Sequence, residues 1–205
     1  MQNKEYWENV YTTKATDSVS WFQEHAEISL SLIQNANIEK NASIIDIGGG
    51  ASTLVDDLVL NGYSKISVLD LSNTALETSQ SRLGLAAEPI NWLVADITKI
   101  HFPEHEFDLW HDRAVFHFLT EPEDRLAYIK NILHSVKPKG QVIISTFAED
   151  GPTKCSGLSV IGYSAESLQA EFGNSFLLKK NLNETHSTPS GATQKFIFCL
   201  FEKIA

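Results

Sequence analysis

Between residues 43 and 146 short apolar runs alternate with longer segments of helical period, and few folds accommodate that alternation. Residues 43–47, 65–69, 90–95, 107–111 and 141–146 read as buried strands, because each is short, largely apolar and bounded by turn or polar signals. Gly48, Asp70, Asp96 and Asp112 stand at or just past the ends of the first four. Segment 53–61 carries Leu54, Val55, Leu58 and Val59 at helical spacing, with Gly62 as its stop. Segment 73–83 has Ser72 as N-cap and Gly84 behind it. Segment 121–136 has Pro122 in its first turn and Leu126, Ile129, Ile132 and Leu133 along one face. A Pro138-Lys139-Gly140 turn is expected to lead into the fifth strand. Strands joined by helices imply right-handed crossovers and a parallel sheet covered on both faces.

The tail breaks the pattern. A helix over 164–172, capped by Ser164 and stopped by Gly173, precedes two strands at 176–181 and 195–203. The polar stretch 183–194 between them reads as a loop joining an antiparallel hairpin at the sheet edge. The expected architecture is therefore a three-layer α/β/α doubly wound sheet, mostly parallel with an antiparallel C-terminal strand. A length of 205 residues suits one domain, with 41–205 as the sheet domain and 1–40 as an added leader. The leader holds Tyr6, Trp7, Tyr11, Trp21 and Phe22 and an amphipathic segment at 26–37, and is expected to form a helical, aromatic lid over the sheet's carboxyl edge.

With 16 Lys plus Arg against 26 Asp plus Glu, the net charge of −10 repels phosphate backbones, and the longest basic cluster is Lys179-Lys180. A nucleic-acid partner is not expected. The absence of an apolar run of membrane length and the polar, mixed-charge start point to no membrane and a cytoplasmic location. A monomer or weak homodimer is expected. Cys199 lies inside an apolar run and reads as core, and Cys155 lies in a loop; two cysteines make neither a disulfide framework nor a thiolate zinc site. His101 and His105 are separated by Pro103 and do not share a helix face, so no metal site is expected.

Ligands of open parallel sheets bind outside the carboxyl ends of the strands. There the sequence places Asp46 with Gly48, Gly49 and Gly50, whose backbone can turn tightly and approach a ligand. Thr53 and Leu54 stand where the dinucleotide pattern would need its later glycine. Asp70, two dozen positions beyond Asp46, suits a ribose diol, since a carboxylate accepts hydrogen bonds from both hydroxyls. Asp96 suits an adenine amino group, and Leu71 and Ile97, which follow these two carboxylates, complete the nucleoside set. At the fourth strand end His111, Asp112, Arg113 and His117 gather as candidate catalytic residues.

This array resembles the class I, seven-strand S-adenosylmethionine-dependent methyltransferases over about residues 40 to 204. Asp46, Gly48 and Gly50 match the family's acidic-G-x-G-x-G motif, with Ser52 in place of its last glycine. Asp70 and Asp96 match its next two acidic positions, and Val136-Lys137-Pro138-Lys139-Gly140 is similar to its L-K-P-G-G turn. The leader residues Tyr6–Tyr11 and Ser20–Gln23 resemble those of small bacterial methyltransferases, where this segment covers the cofactor. The resemblance implies strand order 3-2-1-4-5-7-6, S-adenosyl-L-methionine as cofactor, and methyl transfer by in-line displacement.

A small-molecule acceptor is favoured, because the chain is short and shows no docking insert; a protein-lysine acceptor is the alternative. A nicotinamide dehydrogenase and a non-catalytic nucleoside-binding module of the same fold are the competing readings. For an amine acceptor Asp112, His111 or His117 would serve as general base, with Asp112 favoured. For an anionic acceptor Arg113 would hold the charge bidentately.

Overall fold

The computed structural model describes residues 4–204; residues 1–3 and 205, at the ends of the expected leader and sheet domain, lie outside the described residues. Two leader helices, α1 (Lys4–Thr13) and α2 (Glu27–Asn35), precede the sheet. Then come β1 (Ser43–Ile47), α3 (Leu54–Leu60), β2 (Lys65–Asp70), α4 (Asn73–Leu83), β3 (Asn91–Val94), β4 (Phe107–Arg113), α5 (Pro122–Ser135) and β5 (Val136–Phe147). A two-stranded ribbon of β6 (Lys154–Cys155) and β7 (Leu158–Ser159) is followed by α6 (Ala165–Phe172), β8 (Phe176–Ser187) and β9 (Thr193–Lys203). The main sheet runs β3-β2-β1-β4-β5-β9-β8, with β9 antiparallel to both neighbours. Allowing for the ribbon, this is the expected order.

Strand periodicity sorts the core into two layers, because successive side chains point to opposite faces. Ile45, Ile47, Val142 and Ile144 pack with Tyr128, Ile129 and Ile132 of α5 and Leu168 of α6. Ile44, Ile143 and Val68 pack on the other face with Leu32 and Ile33 of α2, Val55 and Leu58 of α3, and Leu76 of α4. Residues at 26–37 thus form a core-facing helix, although it is shorter than the pattern suggests. Among the described residues no helix is long and apolar enough to cross a membrane.

Two further boundaries differ most from the sequence expectation. The turn before the fifth strand is absorbed into β5, which begins at Val136 paired with Phe107 and resumes its ladder at Gln141 after an irregularity. Lys139 takes the left-handed φ of 63° that permits it. The expected polar loop at 183–194 is instead paired strand: the β8–β9 register continues through Glu184↔Phe196 to Ser187↔Thr193, leaving only 188–192 as the turn. Its polar residues face solvent on one side and the leader on the other. His186 Nε2 lies 2.9 Å from the Ser20 carbonyl, and Gln23 donates to Glu184 at 2.9 Å.

Candidate active site

The turn after β1 is pinned to the end of β2, where the Gly48 and Gly49 amides both donate to the Leu69 carbonyl (2.7 and 3.2 Å). Gly48 has φ +67°, and a Cβ there would sit 2.1 Å from Val115 Cγ2. A Cβ on Gly50 would sit 2.6 Å from Asp70 Oδ2, so glycine is what lets the loop and that carboxylate approach each other. Side chains more than two dozen positions away fix the loop: Ser79 Oγ donates to the Gly50 carbonyl at 2.7 Å, and Arg82 donates to the Ala51 and Ser52 carbonyls at 3.1 and 2.7 Å. Arg82 also pairs with Asp56.

Beside this turn lies a cleft of about 680 Å³ lined by Gly48, Asp70, Leu71, Ala95, Ile97 and Val115 on the sheet side. Trp7, Tyr11 and Trp21 of the leader complete its lining together with Phe118, Arg113, Cys155 and Phe196. A second cleft of about 570 Å³ shares Tyr11, Trp21, Gly48 and Arg113 with the first and continues past Gly49, Asp46, His111 and Ser29.

The leader is held in place at several points. Thr74 at the start of α4 donates its amide to Glu8 Oε1 at 3.2 Å, and Tyr6 OH reaches Ser156 Oγ at 3.0 Å. Trp7 meets Trp21 and Phe118 edge-to-face, with centroids 5.8 and 5.2 Å apart. The α2 end is anchored by Asp57, which accepts from the Ala26 amide at 3.2 Å and faces His25 Nδ1 at 2.8 Å.

Asp70 lines the cleft with its carboxyl held by the Ser72 amide at 2.8 Å. Burial pushes this carboxyl up to about 7, with the nearby Asp46 charge adding to the shift and backbone amides opposing it. Asp46 pairs across the sheet with His111 and faces its Nδ1 at 2.7 Å; His111 Nε2 faces Ser29 Oγ of α2 at 2.8 Å. All three are buried. The chain Ser29–His111–Asp46 therefore ties the leader to the floor of the second cleft.

Four of the expected residues line neither cleft: Gly50, whose carbonyl accepts the Ser79 hydroxyl, and the side chains of Asp96, Asp112 and His117. Asp96 lines neither cleft; its carboxylate accepts from the Thr98 amide and hydroxyl (3.0 and 2.7 Å) and pairs with Lys99 at 2.9 Å. Only its neighbours Ala95 and Ile97 reach the ligand space. Asp112 is fully buried and also lines neither cleft. It accepts from the Val115 and Phe116 amides at 2.8 and 3.1 Å and from Tyr128 OH at 2.5 Å, while Trp110 Nε1 donates to that hydroxyl at 3.0 Å. Burial raises its carboxyl to about 7 against these donors. His117 is likewise fully buried, accepts the Phe147 amide at Nδ1 (3.2 Å), and is pushed down to about 3 by burial and by the Arg113 charge. It is neutral at physiological pH and packs between Phe118 and Phe147.

Arg113 is the member of the strand-four group that faces both clefts. Its guanidinium lies 4.6 Å over the Phe196 ring and donates from Nη1 to the Trp21 carbonyl at 3.1 Å. Val115, Phe118, Cys155 and Phe196, which line the first cleft, and Ser79 and Arg82, which hold the glycine turn, carry no site signal in the sequence, since only the folded chain brings them there.

A family model described as a methyltransferase domain matches residues 45–144, which span β1 to β5. The chain is 29% identical over 157 residues to the EEF1A lysine methyltransferase 2 of Danio rerio, covering 70% of this chain and 67% of that protein. It is 25% identical over 136 residues to a malonyl-acyl-carrier-protein O-methyltransferase of Ilyobacter polytropus, covering 65% of this chain and 48% of the relative. The chain thus spans only about half the length of this second relative. In fold it matches the N-methyltransferase NodS of Bradyrhizobium japonicum, solved with S-adenosyl-L-homocysteine, at TM-score 0.74 and 14% identity over 98% of this chain and 99% of that one. With its glycine turn and Asp70 at adjoining strand ends, the seven-stranded order is that of the class I S-adenosylmethionine-dependent methyltransferase fold, and residues 45–144 match the methyltransferase-domain model.

Proposed function

We propose that this chain methylates a small molecule, with the acceptor seated between the nucleoside cleft and the aromatic end formed by Trp21, Phe118 and Phe196. The observation that carries the reading is the shared lining: Trp7, Tyr11 and Trp21 of the leader line the same cleft as Asp70 and Gly48. The residues fit S-adenosyl-L-methionine chemically. Asp70 offers an acceptor for a ribose diol, Leu71, Ala95, Ile97 and Val115 offer apolar walls for a purine, and Asp46 with the glycine turn offers a negative, close-approach floor for an amino-acid end. When bound, that group supplies a sulfonium methyl already activated for displacement.

The chain's own work is alignment and exclusion of water. Trp7, Tyr11 and Trp21 cover the cleft, and Glu8 and Tyr6 fasten that cover to α4 and the β6–β7 ribbon. Holding two reactants in line can supply ~7–11 kcal/mol of the barrier. Asp112 and His117 act as supports in this account. The Asp112 carboxylate sets the turn carrying Val115 and Phe116, and His117 braces the end of β5. His111 orients Asp46 through its Nδ1 contact and has Ser29 on its other nitrogen.

A protein-lysine acceptor is the second reading, favoured by the zebrafish relative's name. A lysate of the source cell incubated with the protein and methyl-labelled cofactor, then split into protein and small-molecule fractions, separates the two. Label in the small-molecule fraction is expected; label confined to protein would overturn the small-molecule reading.

A further inference from the structure

Strand residues of the sheet domain grip one short stretch of the leader. Along β8 the alternate residues Leu182, Glu184 and His186 turn inward, while Asn183, Thr185 and Ser187 stay exposed. His186 donates from Nε2 to the Ser20 carbonyl at 2.9 Å, and Glu184 Oε1 accepts from the Gln23 side chain at 2.9 Å. Between these two points Arg113 of β4 donates from Nη1 to the Trp21 carbonyl at 3.1 Å. Glu184 is also ion-paired with that guanidinium, its Oε2 standing 3.6 Å from Nη2, and both side chains are largely buried. Phe196, the register partner of Glu184 on β9, presents its ring to the guanidinium at 4.6 Å. A buried guanidinium without a counter-charge is strongly disfavoured, so the carboxylate is what keeps Arg113 in place rather than turned to water. One carboxylate therefore holds the leader twice, through Gln23 and through the cation bound to Trp21.

Glu184 and His186 line neither cleft, whereas Trp21 lines both and meets Trp7 and Tyr11 edge-to-face, with centroids 5.8 and 6.2 Å apart. Resting on the methyl-transfer reading above, we propose that Glu184 is a positioning residue for the reaction. Acting through Arg113 and Gln23 from outside both clefts, it sets Trp21, the wall that the two clefts share.

Calorimetric titration with S-adenosylhomocysteine, together with the emission of Trp21 isolated as the difference from Trp21→Phe, tests the proposal. Glu184→Gln keeps an acceptor oxygen for Gln23 and loses the charge. It is expected to weaken S-adenosylhomocysteine by about ten-fold and to shift Trp21 emission to the red in the folded protein. The double variant Arg113→Gln/Glu184→Gln is expected to lose less than the sum of its two single losses, because the residues act as a pair. A residue that merely stabilised the hairpin would lower the melting temperature and leave affinity and emission in place. Unchanged affinity and emission in folded Glu184→Gln would overturn the proposal, and so would additive losses in the double variant. If Glu184→Gln failed to fold, Gln23→Ala at the half-buried end of the grip takes its place, and unchanged Trp21 emission there would overturn it. S-adenosylhomocysteine failing to bind the unaltered protein would instead overturn the cofactor reading, while the emission comparison, which needs no ligand, still decides whether Glu184 sets Trp21.

Discussion

Replacing Asp70 by alanine is expected to weaken S-adenosylmethionine binding by about a hundred-fold, measured by calorimetric titration at pH 8. The size comes from losing a charged acceptor shared by two hydroxyls, at ~1.5–3 kcal/mol for each such bond. Asp70 is the carboxylate lining the nucleoside cleft beside the glycine turn, and Gly50 gives it room. The same burial that readies it makes its behaviour depend on pH. In the folded protein the group titrates near about 7 against 3.8 for a free aspartate. The folded state therefore holds a proton that the unfolded state releases across that window. Stability of the ligand-free protein attributable to this group is full below pH 4 and falls as pH rises from about 4 through 7. Asp70→Asn, which cannot ionise, should thus gain in melting temperature over the unaltered protein as pH climbs from 5 to 8. Cofactor affinity should move oppositely in the unaltered protein, rising through pH 7 as the carboxylate forms, and lose that rise in Asp70→Asn. A melting difference independent of pH would show that Asp70 ionises as an ordinary surface carboxylate.

Asp112→Ala should lower stability by ~3–5 kcal/mol in urea denaturation, because it strands two buried amides and a tyrosine hydroxyl. The Val115 and Phe116 amides and Tyr128 OH all end on this carboxylate. A general base in the same place would behave differently: its loss would remove turnover and leave the melting transition in place. Asp112→Asn retains an acceptor oxygen, so it should fold and keep measurable turnover. Full stability in Asp112→Ala together with abolished turnover would restore the catalytic assignment.

Sheet order and cofactor end are legible in the sequence for a physical reason. Buried parallel strands have to be short apolar runs, and the residues just past each run, at the carboxyl edge, face the ligand. Asp46, Gly48, Gly49, Asp70, Leu71, Ile97 and Arg113 are found that way and line the clefts. Asp96 shows where that logic stops. An aspartate at a strand end looks the same whether it faces a ligand or caps its own turn, and Thr98 and Lys99 take this one. Asp112 and His117 do belong to the fourth strand end, but sequence does not reveal that the strand's pleat and the turn after it direct them inward. The β8–β9 extension escapes sequence reasoning because its polar residues imitate a loop; their partners, Ser20 and Gln23, lie more than 150 positions away. Arg82 and Ser79 are invisible for the same reason, being ordinary helix residues until α4 packs beside the glycine turn.

Calorimetric titration of the unaltered protein with S-adenosylhomocysteine, with NAD as the parallel ligand, bears most directly on the nucleoside site. The account predicts saturable one-to-one binding of S-adenosylhomocysteine, weakened about a hundred-fold by Asp70→Ala, and no binding of NAD. Binding of NAD in place of S-adenosylhomocysteine, or of neither, would contradict it.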